Sequence, residues 1–149
     1  MSASRNRGNL FFCGAAVLAM IAFVGWMLAG AGTGAAAVSD RPAMTESVQG
    51  PYTFQVQLNA AEAVVLKPNT FTVTIMRADE RPVGQADIDI TLYMPDMFCG
   101  TSTAKAKEVR PGVYQGDGIP LMAGASAAEV KVQLDGRTYT VQHPFVAAR

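Results

Sequence analysis

The segment "YTFQVQL" alternates without a break: Tyr52, Phe54, Val56 and Leu58 fall on one side, Thr53, Gln55 and Gln57 on the other. Successive side chains of a strand point to opposite faces, so this pattern describes a strand with one face buried and one solvated. Such a face has to be covered by another like it, and the chain supplies several. In "TFTVTIM", Phe71, Val73 and Ile75 share a side; in "DIDITLYM", Ile88, Ile90, Leu92 and Met94 oppose Asp87, Asp89, Thr91 and Tyr93. "AAEVKVQL" and "RTYTVQHPF" flank Asp135 and Gly136, and an Asp-Gly pair between alternating runs predicts a tight hairpin. "AKAKEVR" and "GVYQGDG" form a weaker pair around Pro111 and Gly112. About seven short strands at regular turn spacing predict an all-β, antiparallel immunoglobulin-like β-sandwich. The lack of a Cys…Trp…Cys pattern excludes an antibody-like core.

The start of the chain follows different rules. Arg5 and Arg7 precede a stretch from Leu10 to Ala37 that holds no charged residue. Its apolar part, Leu10 to Ala29, is long enough as a helix to span about 30 Å, the thickness of a bilayer's hydrocarbon core. A cleavable signal has a shorter apolar region, about 7 to 15 residues, although Ala35 to Ala37 offers an A-x-A cleavage pattern. The length of the run and Trp26 near its far end favour a retained anchor. The arginines then hold the N-terminus in the cytoplasm and send the rest outward. The chain divides accordingly into a cytoplasmic N-terminus (1–9), a transmembrane anchor or signal sequence (10–31), a Gly-, Ala-, Ser- and Thr-rich tether (32–50) and a β-sandwich domain (51–149). The expected location is the inner membrane with the domain in the periplasm, the alternative being release after cleavage.

Beyond Ala37 the chain carries ten basic and twelve acidic residues without a block of either sign, which argues against a nucleic-acid partner. Cys13 opens the apolar run and Cys99 lies in the exported domain, so a membrane-spanning anchor keeps the two apart. Cys99 is therefore an unpaired thiol in an oxidising compartment, a residue to explain as a ligand, a reactive group or an intermolecular partner.

The residues available for chemistry are few. One histidine, no nucleophile elbow, no CxxC, no phosphate loop and no HExxH leave little for an enzyme to use. Asp87 and Asp89 share the polar face of one strand and read as solvated charges. The soft donors stand out: a thiolate and thioethers suit Cu(I). Met97 and Cys99 follow the turn at Pro95, where side chains can be presented outward. Met94 continues the inward face of its strand and is core by parity. Met122, in "IPLMAG", is a loop methionine able to fold over the same end. His143 has the inward parity of Tyr139, Val141 and Phe145, which fits a hydrogen-bonded rim residue as well as a ligand.

In "PYTFQVQL", "NTFTVTIMRADERPVGQADIDITLYMPDM", "RPGVYQGDGIPLMAGASAAEVKVQL" and "VQHPFV", the chain resembles the YtkA-like/FixH-like group of small exported immunoglobulin-like domains. The shared features are a "PVGQA" turn, a strand ending in Met94-Pro95, a Gly-x-Tyr strand and the Met122-x-Gly124 turn. The resemblance implies a non-enzymatic accessory protein of the cell envelope, with copper handling or assembly of a respiratory copper oxidase as its setting. Two departures are the small residues of "GASAAEV", where an aromatic is common, and "FCG", where histidine- or glycine-rich sequence is common. The expectation is an outward-facing, membrane-anchored domain whose Cys99 and Met97 hold Cu(I), with Met94, Met122 or His143 completing the site. Its partner would be a membrane oxidase or a metal-transport protein. The rival reading is a structural or protein-interaction module without a metal. A binding domain for a small organic ligand would need an apolar pocket that the sequence does not advertise.

Overall fold

In the computed structural model, the described residues are 42–149 with the exception of Cys99. The expected anchor or signal sequence and most of the tether lie outside them. Among the described residues no helix is long and apolar enough to cross a membrane, and all regular structure is β.

Five strands occupy the alternating runs: β2 (Tyr52–Leu58), β4 (Asn69–Arg77), β5 (Asp87–Tyr93), β8 (Gly124–Leu134) and β9 (Arg137–Ala148). The weaker pair forms β6 (Ser102–Arg110) and β7 (Val113–Gly118). Two more strands raise the total to nine, β1 (Met44–Gln49) and β3 (Ala63–Val64). β1 corrects the boundary of the tether, which was expected to run to residue 50. None of its six residues is buried, so no apolar face marks it in the sequence. It forms because β2 has an open edge, and all six of its residues pair there, from Met44↔Gln57 to Gln49↔Tyr52.

The strand order is β1-β2-β4-β7-β6-β5-β8-β9-β3, antiparallel throughout except for the short β3–β9 pairing. β6 joins the two halves: Ser102 to Ala106 pair with β5, and Lys107 to Arg110 pair with β7. The sheet curls there, so that β1-β2-β4-β7 faces β5-β8-β9-β3 in an arrangement consistent with an immunoglobulin-like fold. Aromatic rings close the gap between the halves. Tyr139 lies 5.6 Å from Tyr52 and 5.2 Å from Phe54 between ring centroids, and Phe71 meets Phe145 edge-on at 5.3 Å. The inward residues expected from alternation, among them Phe54, Val56, Phe71, Val73, Ile75, Ile88 and Ile90, are fully buried.

The Asp135-Gly136 hairpin forms as expected, with both residues at positive φ (50° and 73°) and Leu134 paired to Arg137. The register also sorts the loops. Asn69 pairs with Gly118, Tyr93 with Ala127 and Gly124 with Ala147. The β5–β6 and β7–β8 loops and the connection from β3 to β4 therefore share one end of the sandwich. The β1–β2, β6–β7 and β8–β9 turns share the other.

Tyr114 is the largest fully buried side chain. Its hydroxyl donates to the Val83 carbonyl at 2.9 Å and accepts from the Ala86 amide at 3.1 Å, tying the β4–β5 connection to β7. Tyr114→Phe leaves both backbone groups without this partner and is expected to cost about 1–3 kcal/mol of stability. A denaturant midpoint equal to that of the parent chain would contradict this role.

Candidate functional site: a methionine cleft

β5 ends at Tyr93, and the next residue, Met94, keeps the inward parity of Ile88, Ile90 and Leu92. It is half-buried, and its methyl group lies beside Gly124 at the start of β8. A Cβ built on Gly124 would stand 3.1 Å from Met94 Cε, and the backbone there has φ +133°, so glycine serves both the conformation and the close approach. The β7–β8 loop carries Met122 to the same place. Met94 and Met122, together with Leu92, Gly100, Leu121 and Phe145, line a cleft of about 20 Å³. A water needs at least about 10–15 Å³ on this measure, so the cleft admits an ion or a water and no organic ligand.

The other expected ligands are placed differently. Met97 is exposed and is not among the residues lining the cleft; its amide donates to the Met94 carbonyl across a 3.4 Å turn. Cys99 lies outside the described residues. His143 is 1% exposed, and its Nδ1 shares a hydrogen bond with Thr45 Oγ1 at 2.9 Å. It does not line the methionine cleft. It borders a wide open groove of about 990 Å³ that also includes Gln57, Thr72 and Phe145. In this position it pins the edge strand β1 to β9, the rim role that its parity allowed.

Among the described residues no group of three or more His, Cys, Asp or Glu side chains could hold a metal ion. The cleft lining brings two thioether side chains, Met94 and Met122, beside Ser126 and Tyr93, and thioethers favour a soft ion such as Cu(I) over calcium or magnesium. Asp87 and Asp89 behave as solvated charges. Lys105 Nζ reaches Asp87 at 2.8 Å and Asp89 at 3.3 Å on the exposed face, and these hydrogen bonds, Asp87's first, raise the lysine's pKa. Leu121 of the cleft lining and the exposed Phe98 and Ile119 on the same two loops were not singled out by sequence reasoning. Their signal was present as large apolar residues in loops, outside any alternating run.

A family model described as YtkA-like matches residues 46–125. The chain belongs to the YtkA-like family. The match includes Met94, Met97, Cys99 and Met122 and ends before His143. Members of the YtkA-like family are small non-catalytic accessory modules, and this chain is not an enzyme. No curated protein matches the YtkA-like chain. Among solved structures it is similar to a DUF4785 family protein from Legionella pneumophila, at TM-score 0.46 and 10% identity over 65% of this chain and 28% of that one. It is also similar to the Lin-41 filamin domain, at TM-score 0.46 and 12% identity over 63% of this chain and 92% of that one.

Burial lowers the pKa of His143 from its ordinary value of 6.5. The unfolded chain therefore binds this proton more readily than the folded one, and stability rises with pH between the folded value and about 6.5. Acidification below 6.5 is expected to destabilise the domain, and His143→Gln is expected to remove that component of the slope. Urea midpoints measured across this range check it, and identical slopes in the two chains would assign the pH dependence elsewhere.

Proposed function

We propose that this YtkA-like chain is an exported, membrane-anchored accessory protein that holds Cu(I) at the methionine cleft and passes it to a membrane partner. Copper handling or assembly of a respiratory copper oxidase is the setting. The observation that carries the reading is the convergence of Met94 and Met122, from separate loops, on one cleft of ionic size. Two thioethers would give a soft, neutral, low-coordinate cradle suited to a cuprous ion, with Ser126 and Tyr93 in the same lining. Cys99, on the same loop as Met94, is the proposed anionic donor. Met97, exposed on that loop, is the proposed entry ligand. His143 is left to the fold. The anchor at 10–31 holds the domain at the inner membrane facing the periplasm, and tethering raises its effective concentration at a membrane target without any new contact.

Titration of the reduced protein with Cu(I) against a competing chelator tests the proposal. Met94→Leu, Met122→Leu and Cys99→Ser are each expected to weaken binding by at least about tenfold, or ~1.4 kcal/mol. His143→Gln is expected to leave it unchanged. Bound Cu(I) should raise the unfolding midpoint of the parent chain, and a chelator should reverse the rise. Unchanged affinity in the first three variants rejects the metal site and leaves a protein-interaction module as the reading of this end of the domain.

A further inference from the structure

Among the described residues ten large apolar side chains are exposed; Val48 and Val109 lie toward the end of the β1–β2 and β6–β7 turns, and most of the others gather at the opposite end. Leu66, Met97, Phe98, Ile119, Leu121 and Met122 are all exposed, Phe98 at 96% and Leu66 at 70%. They occupy three connections at one end: β3–β4, β5–β6 and β7–β8. The Leu66 amide donates to the Pro120 carbonyl at 2.9 Å, which joins two of these connections. The opposite end carries Asp79, Glu80, Arg81 and Asp135 on its turns and Arg137 at the start of β9. Single exposed apolar residues are ordinary, whereas a cluster on neighbouring loop tips marks a contact surface.

We propose that this apolar end rests on the lipid bilayer, with Phe98 and Leu66 inserted at the boundary between headgroups and acyl chains. The proposal relies on the reading of residues 10–31 as a membrane anchor and adds which way the domain faces. The position of the chain's entry supports it. β1 begins at Met44 opposite Gln57, near the end of β2, and Pro42 and Ala43 border the same groove as Leu58 and Val146. The described chain thus enters at the apolar end. The twelve residues from Gly30 to Arg41 span at most about 40 Å when fully extended.

The chemistry of the tips selects lipid as the occupant. Glu62, Asp96 and Lys67 mix both signs at this end, so no strong field of one sign is offered to a charged partner. A side chain as exposed as Phe98 protrudes from the surface and lines no groove that would receive a peptide. Protruding apolar tips suit insertion about 5–10 Å into the interface, where affinity follows buried apolar area and depends little on salt.

The single tryptophan of the chain, Trp26, provides the test. The full chain is reconstituted in phosphatidylcholine vesicles that contain a lipid with a nitroxide near the headgroup, or one deep in the acyl chain. Native Trp26 fluorescence reads the anchor. The double variants Phe98→Trp/Trp26→Phe and Leu66→Trp/Trp26→Phe read the apolar end, and Arg137→Trp/Trp26→Phe reads the opposite one. The substituted positions are exposed, so the fold should tolerate the changes. The expected result is several-fold quenching by the headgroup-side nitroxide at positions 98 and 66, none at 137, and no change in high salt. Quenching at Trp26 with none at position 98 overturns the resting orientation and leaves the anchor standing. No quenching at either overturns both. Equal quenching at 98 and 137, or quenching at 98 that requires anionic lipid, also overturns the proposal. A blue-shifted but unquenched emission at 98 would assign the surface to a protein or a second copy of the chain, and overturns it as well.

Discussion

β6 belongs to both halves of the sheet, and the rest of the domain depends on the bend that this requires. Near Ala106 the strand leaves β5 and takes up β7, which brings the backbones of β6 and β7 unusually close. Gly116 is the residue that permits it: a Cβ at that position would stand 3.1 Å from Ala106 Cα, Lys105 O and Ile90 Cδ1. Two residues on, a Cβ at Gly118 would stand 2.6 Å from Leu92 Cδ1. The inward face of β7 is therefore Tyr114, Gly116 and Gly118, one large anchor followed by two gaps that the opposite half fills. Because β6 lies between β5 and β7, the loops leaving β5 and β7 emerge side by side. That Met94 and Met122 line one cleft follows from that bend.

The same bend explains what the sequence could and could not reveal about the fold. Strands buried on one face announce themselves, and the inward sets of β2, β4 and β5 are the residues that alternation selects. The Asp135-Gly136 hairpin was legible because its conformation is dictated by two adjacent residues. β7 read as weak because glycine occupies two of its inward positions, a consequence of close packing that only the three-dimensional arrangement reveals. β1 and β3 were invisible for different reasons. β1 is an edge strand with no buried residue, and the two residues of β3 are too few to show a period.

At the candidate site, parity was informative and proximity was not. Met94 was legible as an inward residue, and it is half-buried at the mouth of the core. His143 was legible as an inward residue able to serve the fold, and its bond to Thr45 adds a reason: it fastens a strand that has no apolar face of its own. Proximity along the chain favoured Met97 as a ligand, yet the turn after Pro95 directs it to solvent and away from the cleft lining. Met94 shares its cleft with Met122 on another loop, and no local rule of spacing could have paired them.

The apolar character of this end and the soft donors within it constrain one another. A cuprous ion held by two neutral thioethers keeps its full positive charge, and placing a charge among Leu92, Leu121 and Phe145 is costly unless something neutralises it. A thiolate does so. Cys99 is the cysteine of the loop that carries Met94, and as a thiolate it would convert the cationic site into a neutral one compatible with apolar surroundings and with a nearby lipid surface. In the proposed copper site, thioethers left without that thiolate would favour release once the anionic ligand is given up to a partner. If the cleft holds Cu(I) as proposed, affinity and transfer would turn on whether that one anionic ligand is kept or given up, while Met94 and Met122 would favour a soft ion over a hard one.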